Sequence, residues 1–185
     1  FRADWSLSFP LAFIALMLFL PEIVAFAADS STRPYEDALL LRGSTILNAQ
    51  YRLLTAITLA TMICIIFLPR ISHLKKFILL GALQTFFIFN VLAEAFGELQ
   101  QGPVIRAALL ANQLGYANVV AYDISMPSFS VYRQSVTPRD GIHNANLIFT
   151  RIDKLRSLER KLGNETDIVY REGGILLVER RNEYE

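Results

Sequence analysis

Two residues lie where they could do chemistry on a phosphate: Arg33 and Arg42, on either side of Tyr35, in a polar segment between two apolar spans. A guanidinium pairs with phosphate through a planar bidentate fork that an ammonium cannot reproduce. Arginine beside an aromatic residue also anchors helix ends at a membrane interface. Two readings therefore stand side by side, a ligand for a lipid phosphate and an interfacial anchor.

Other candidates are weaker. Glu22 follows Pro21 inside an apolar span, where an ionised carboxylate is expensive unless it faces the bundle or a wet cavity; otherwise the helix ends near Leu20 and Glu22 sits at the interface. Asp123 follows a short β-rich run, a position where α/β sheets place ligands but also a common place for turn formers and helix caps. His73 and His143 fall in separate parts of the chain, and the single Cys64 is buried in sequence within an apolar span. That excludes an internal disulfide and a cysteine metal cluster. There is no glycine-rich phosphate loop, no H-E-x-x-H and no G-x-S-x-G. Asn164-Glu165-Thr166 is a formal glycosylation sequon, read as accidental. No catalytic residue, metal site or cofactor is expected from these residues, and the net charge of +1 points to no nucleic acid.

The elements that must position these groups come in two kinds. Hydrophobic residues make up 53% of the chain and mean hydropathy is +0.36, yet the apolar content is concentrated before Gly102-Pro103. Residues 1–98 carry three apolar spans at about 9–28, 46–68 and 77–96, each close to the ~20 residues that cross a hydrocarbon core. Pro21 should kink the first. The connection Arg70-Ile71-Ser72-His73-Leu74-Lys75-Lys76 holds three permanent cations and no acid, which predicts a cytoplasmic loop. Residues 29–50 then form an external loop, in which Pro34 with Glu36 and Asp37 marks a helix start. The first span lacks the basic region and cleavage site of a signal peptide. The opening Phe1-Arg2-Ala3-Asp4 has no initiator Met and reads as the start of a C-terminal fragment, with Arg2 on the cytoplasmic side.

Residues 99–185 read as an extracytoplasmic α/β domain. Gly102-Pro103 should open a helix with Ile105, Ala108, Leu109 and Ala111 on one side, stopped by Gly115. Strands are expected at Asn118–Tyr122, Asn146–Thr150, Asp167–Arg171 and Ile175–Glu179, the last two joined as a hairpin through Gly173-Gly174. Pro127–Arg133 is a short helix or turn, and Pro138-Arg139-Asp140-Gly141 a turn. Ile152, Leu155, Leu158 and Leu162 form the stripe of an amphipathic helix, with Thr150 and Asp153 at capping-box spacing and Gly163-Asn164 at its end. The expected fold is a membrane α-helical part with three transmembrane helices, followed by a small α/β domain with a mixed sheet.

The order of the Gly102-Pro103 helix, Val119-Val120-Ala121-Tyr122, Met126-Pro127-Ser128-Phe129-Ser130-Val131-Tyr132, Leu147-Ile148-Phe149-Thr150 and Tyr170-Arg171-Glu172-Gly173-Gly174-Ile175-Leu176-Leu177-Val178 is similar to the C-terminal end of bacterial membrane glycosyltransferases. The resemblance is to the 4-amino-4-deoxy-L-arabinose transferase type, kin to protein O-mannosyltransferases and of GT-C architecture. It covers about residues 100–181 and is generic over the spans. It implies a multi-pass inner-membrane enzyme that moves a sugar from a polyprenyl-phosphate-linked donor to a lipid, often lipid A, or another acceptor such as a protein, on the outer face. It also implies a catalytic carboxylate in a first external loop upstream of Phe1, so no residue here inherits that role. Arg33 and Arg42 match no motif of the family and are substrate-binding candidates on their chemistry alone. The alternative is a non-enzymatic, membrane-anchored binding or sensor module with the α/β domain as ligand receiver.

Overall fold

The computed structural model describes residues 5–163 and 166–180. Arg2 and the Asn164-Glu165 part of the sequon and helix end lie outside the described residues. The chain divides into two compact units, residues 1–27 with 43–97 and residues 28–42 with 98–185.

The apolar unit is built around a proline break. Pro21 has no amide hydrogen to give the carbonyl four residues back, and its ring crowds that carbonyl. The first span accordingly splits at Phe19 into α1 (Trp5–Leu18) and α2 (Leu20–Ser30), with a 50° bend between Leu7–Leu18 and Leu20–Ser30. The carbonyl deprived of its donor is that of Met17, and it accepts a hydrogen bond from the Tyr51 hydroxyl at 3.0 Å. An apolar environment offers no water to do this, so Tyr51, which is 4% exposed, supplies what the proline removed. Next to it, Arg52 pairs with Glu22 at 2.8 Å, so Glu22 is compensated rather than bare.

The helix α3 (Pro34–Ile46) begins at the expected proline, and α4 (Ala49–Phe67) is capped by Asn48, whose Oδ1 accepts from the amides of Gln50 and Tyr51. After α4, α5 starts at His73 (His73–Phe87), within the basic segment, so that Lys75 and Lys76 lie in its first turn. Lys76 Nζ donates back to the Ile66 carbonyl near the end of α4, a favourable place for a cation. Ile14, Leu47, Met62, Leu80 and Phe87 are buried around Tyr51.

The helix start expected at Gly102-Pro103 does not occur there. A π-helical turn (Ile88–Leu92) leads from α5 into α6 (Ala93–Leu114), and the whole of His73–Leu114 is one apolar helix of 42 residues with Pro103 inside it. A residue before proline normally avoids helical backbone partly because its Cβ meets the proline ring. Gly102 has no Cβ, which removes that part of the clash. Among the described residues two helices, Ala49–Phe67 and His73–Leu114, are long and apolar enough to cross a membrane, and the bent α1–α2 pair makes three if it counts as one span.

In the other unit, β1 (Val119–Ala121), β2 (Leu147–Arg151), β3 (Thr166–Glu172) and β4 (Ile175–Arg180) form one sheet in the order β1-β2-β4-β3. The β1–β2 pair is parallel and the other two pairings antiparallel, so the sheet is mixed, with the hairpin at its antiparallel end. Strand alternation sorts the side chains onto two buried faces. Val119, Ala121, Leu147, Phe149, Ile175 and Leu177 meet α6 and α7 (Pro127–Arg133) on one face. Val120, Ile148, Leu176 and Val178 meet α8 (Leu155–Leu162) on the other, through the apolar stripe expected from the sequence.

Two local expectations are corrected. The buried stripe of α6 is Val104, Ala107, Ala108 and Ala111, while Leu109 is half exposed: the small alanines allow close approach to the sheet, which the bulkier leucine would prevent. Thr150 does not cap α8. It is buried in β2 and donates its hydroxyl to the Tyr122 carbonyl at 2.9 Å, while Asp153 pairs with Arg151 and a 3-10 turn (Ile152–Lys154) leads into the helix.

Leu158 is fully buried between α8 and the sheet. Leu158→Ala should cost about 2–5 kcal/mol of unfolding free energy, as core leucine truncations do. Chemical denaturation followed by the near-ultraviolet signal checks it, and a change near zero would refute the packing.

Candidate functional site

Arg42 does not stand free for a ligand. Its guanidinium reaches Glu98 Oε1 at 2.6 Å and Glu172 Oε1 at 2.8 Å, and its side chain is 9% exposed. Arg106, two turns after Glu98 on α6, contacts the same two carboxylates at 2.8 Å each. The four side chains thus close a ring of alternating charge, with α3 and β3 supplying one corner each and α6 two. The Tyr170 hydroxyl donates to Glu172 Oε2 at 2.6 Å and lies 2.9 Å from the Pro103 carbonyl oxygen.

The backbone around the ring is shaped to let it close. A Cβ on Gly102 would fall 2.7 Å from Glu98 Oε1 and 2.8 Å from Arg106 Nη2. Gly173 and Gly174 form the two-residue hairpin turn with φ of 52° and 78°, the positive values that such turns require. A Cβ on Gly174 would sit 2.6 Å from the Tyr35 ring, and one on Gly173 2.8 Å from Pro103. Arg151 lies over the other contact of that ring, with its guanidinium carbon 4.9 Å from the Tyr35 centroid. The hairpin is therefore pressed against both α3 and α6.

Electrostatics follow the geometry. Burial by itself would raise the Glu172 carboxyl, but hydrogen bonds from Arg106 and Tyr170 and the field of Arg42 outweigh it and hold the group below the ordinary glutamate range. Tyr170 is pushed well above a free phenol, first by burial and then by the adjacent Glu172.

The remaining candidates fall elsewhere. Arg33 is 76% exposed and pairs with Glu36 at 2.8 Å one turn on, so it keeps a water-facing guanidinium. Asp123 has a left-handed backbone, φ 48°, and its carboxylate is bound by Lys154 at 2.6 Å; that ammonium holds its carboxyl below the usual range. It acts as a turn former and as the anchor for the start of α8. His143 lies in a 3-10 turn, where its carbonyl accepts from Arg180. His73 and His143 belong to different units, as their sequence positions suggested. Among the described residues no group of His, Cys, Asp or Glu could hold a metal ion.

One cleft of about 370 Å³ opens beside α7. Its walls are Ala121, Ile124, Met126, Phe129 and Phe149, with Ser130, Thr137 and Arg139 as its polar groups. The Phe129 and Phe149 rings stack at 3.9 Å and form a flat apolar floor. Sequence reasoning singled out Met126–Tyr132 only as a pattern; nothing in it announces the partner, Phe149 on β2. Nor does the sequence flag Glu98, Arg106, Tyr170 and Glu172 as a set, since they are joined only by the fold.

The ring has a pH signature. A carboxyl depressed in the folded state adds stability above its unfolded pKa and loses it as pH falls through the folded value. Stability of the full chain should therefore drop as pH falls below the ordinary 4.5 of a glutamate. Glu172→Gln should lower stability at pH 7 by about 1–3 kcal/mol, because Arg42 and Arg106 lose a charged acceptor that is only partly screened. The variant's acid slope should be shallower than the wild type's. Denaturation midpoints from pH 7 to pH 3 decide this, and parallel slopes would show that Glu172 carries none of it.

Comparison with known proteins gives no match: no family model, no curated protein and no solved structure.

Proposed function

We propose that this chain is the membrane-embedded, sheet-bearing end of a glycosyltransferase of GT-C type, which moves a sugar from a polyprenyl-phosphate donor to a lipid A-like or other acceptor at the outer face of the inner membrane. The observation that carries the reading is the composition of the second unit. Residues 28–42 and 98–180 fold together although the apolar helices α4 and α5 lie between them in sequence. Two crossings return a chain to the side it left, so a paired loop helix and C-terminal sheet suit a cover over an active site on one membrane face. The cations Arg70, Lys75 and Lys76 favour the cytoplasm for the opposite connection.

Under this reading the carboxylates of this segment are supports rather than catalysts. Glu98 and Glu172 are each shared between two guanidinium groups, Glu22 is paired with Arg52, and Asp123 with Lys154. The acid that acts on the sugar comes from another part of the enzyme. Of the two arginine candidates, Arg42 is a structural corner, and Arg33 is the one that can meet a donor phosphate. Its exposed pair with Glu36 is worth little and can be exchanged. A binding or sensor module is the second reading, favoured by the cleft beside α7.

Two measurements test the proposal. A reporter fused after Glu185 should be active only when exported, and one fused at His73 only in the cytoplasm; the reverse pattern would sink the external placement. In membranes holding the full-length protein, sugar transfer from purified lipid donor should fall in Arg33→Ala by the value of one charge-assisted contact, about 1.5–3 kcal/mol, with expression unchanged. Arg33→Lys should recover part of the loss. Absence of any transfer by the wild type, with stabilisation by a soluble ligand instead, would favour the binding module.

A further inference from the structure

The cleft beside α7 has a composition that the ring of charges does not explain. Its floor and walls are apolar and include the stacked Phe129–Phe149 pair, Ile124 and Met126. Its volume of about 370 Å³ lies within the roughly 300–1,000 Å³ typical of small-molecule sites. Each of its few polar side chains can donate a hydrogen bond. The Ser130 hydroxyl lines it, and the Thr137 hydroxyl takes the Arg133 guanidinium as a donor at 3.4 Å, which leaves its own proton to give. Arg139 donates to Ser125 Oγ at 2.7 Å and, although Asp140 follows it, makes no ion pair among the described residues. Arg33, Arg42, Arg106 and Arg151 of this unit each have a carboxylate partner, whereas Arg133, beside the cleft, donates to the Val136 carbonyl and the Thr137 hydroxyl. The cleft therefore pairs an apolar body-sized space with an exposed cation that has no carboxylate partner among the described residues.

We propose that this cleft binds a small amphiphilic anion, an alkyl phosphate ester, with its chain on the Phe129–Phe149 floor and its phosphate on Arg139, Ser130 and Thr137. The fork of Arg139 suits a phosphate, and the apolar floor rejects a bare inorganic ion because its hydration would be lost without a chain to bury in exchange. The same chemistry can reach the cleft from solution or from a lipid. Val131, 70% exposed, and Val136, 85% exposed, flank it and leave a lipid route open. The proposal stands on the cleft alone and does not depend on the transferase reading.

Methyl NMR of the full chain in nanodiscs tests it, because its three methionines report separately: Met126 lines the cleft, whereas Met17 and Met62 belong to the apolar unit. In phosphatidylcholine discs, hexyl phosphate should shift the Met126 methyl saturably and leave Met17 and Met62 in place. Inorganic phosphate and hexanol should each bind about tenfold more weakly, since each lacks half of the recognition. Arg139→Gln should weaken hexyl phosphate about tenfold while leaving hexanol unchanged. Ser130→Phe, which fills the cleft but keeps Arg139, should abolish the shift. If discs containing phosphatidic acid shift Met126 without added ligand, the source is the lipid; if only hexyl phosphate does, the source is the aqueous phase. A Met126 methyl that ignores both would overturn the proposal. So would equal responses in Arg139→Gln, or parallel movement of Met17 and Met62 that marks partition into the bilayer.

Discussion

The arrangement of residues 28–42 and 98–180 depends on one interaction, the closed ring of Arg42, Glu98, Arg106 and Glu172. An isolated surface ion pair contributes little, because solvent screens it and two long side chains must be ordered. A ring differs in that each charge is compensated twice, so ordering a given side chain serves two contacts. Arg42 gains most from this, since at 9% exposure an uncompensated guanidinium would be costly. The ring also explains three glycines at once. Gly102 gives the carboxylate and guanidinium of α6 room to meet, and Gly173-Gly174 lets the end of β3 come close enough for Glu172 to join them. Sequence-local features of no obvious chemistry are thus fixed by contacts made across the fold.

The apolar unit obeys a different constraint, satisfaction of backbone groups where water is absent. Pro21 breaks a helix and orphans the Met17 carbonyl, and the Tyr51 phenol from α4 closes the account. Other hydroxyls on α4 bond within their own helix: Thr55, Thr58 and Thr61 each donate to the carbonyl four residues back at 2.8 Å. In a hydrocarbon surrounding, a hydroxyl that satisfies itself in this way is neutral toward its neighbours. Tyr51 is the exception because its hydroxyl reaches another helix, which makes it a fixed point in the packing of α1 on α4.

Elements whose signals are local were legible in the sequence. The Pro21 kink, the Pro34 start of α3, the extent of α7, the glycine hairpin and the stripe of α8 were all readable, because each rests on proline, glycine or a period of apolar residues. Reading Gly102-Pro103 as a helix start failed for a physical reason. The rule that proline starts helices assumes an ordinary residue before it, and glycine relaxes the clash that enforces the rule. The ring and the cleft were not legible at all. Arg42 was noticed for its charge, but its partners lie 56 and 130 positions away in the chain, and no spacing rule links them.

The position of Arg42 changes what phosphate chemistry this unit can offer. A guanidinium held between two carboxylates cannot turn to a phosphate without leaving Glu98 and Glu172 facing each other across Arg106 alone. The net charge of the ring is zero, so it presents no attractive field to an incoming anion at distances beyond a few ångströms. Arg33 and Arg139 differ in the same physical respect: each is exposed, and neither is shared between two acids. Identical side chains thus divide into fasteners and available cations according to the number of carboxylates within reach. That division follows from contacts across the fold rather than from arginine count or position along the chain.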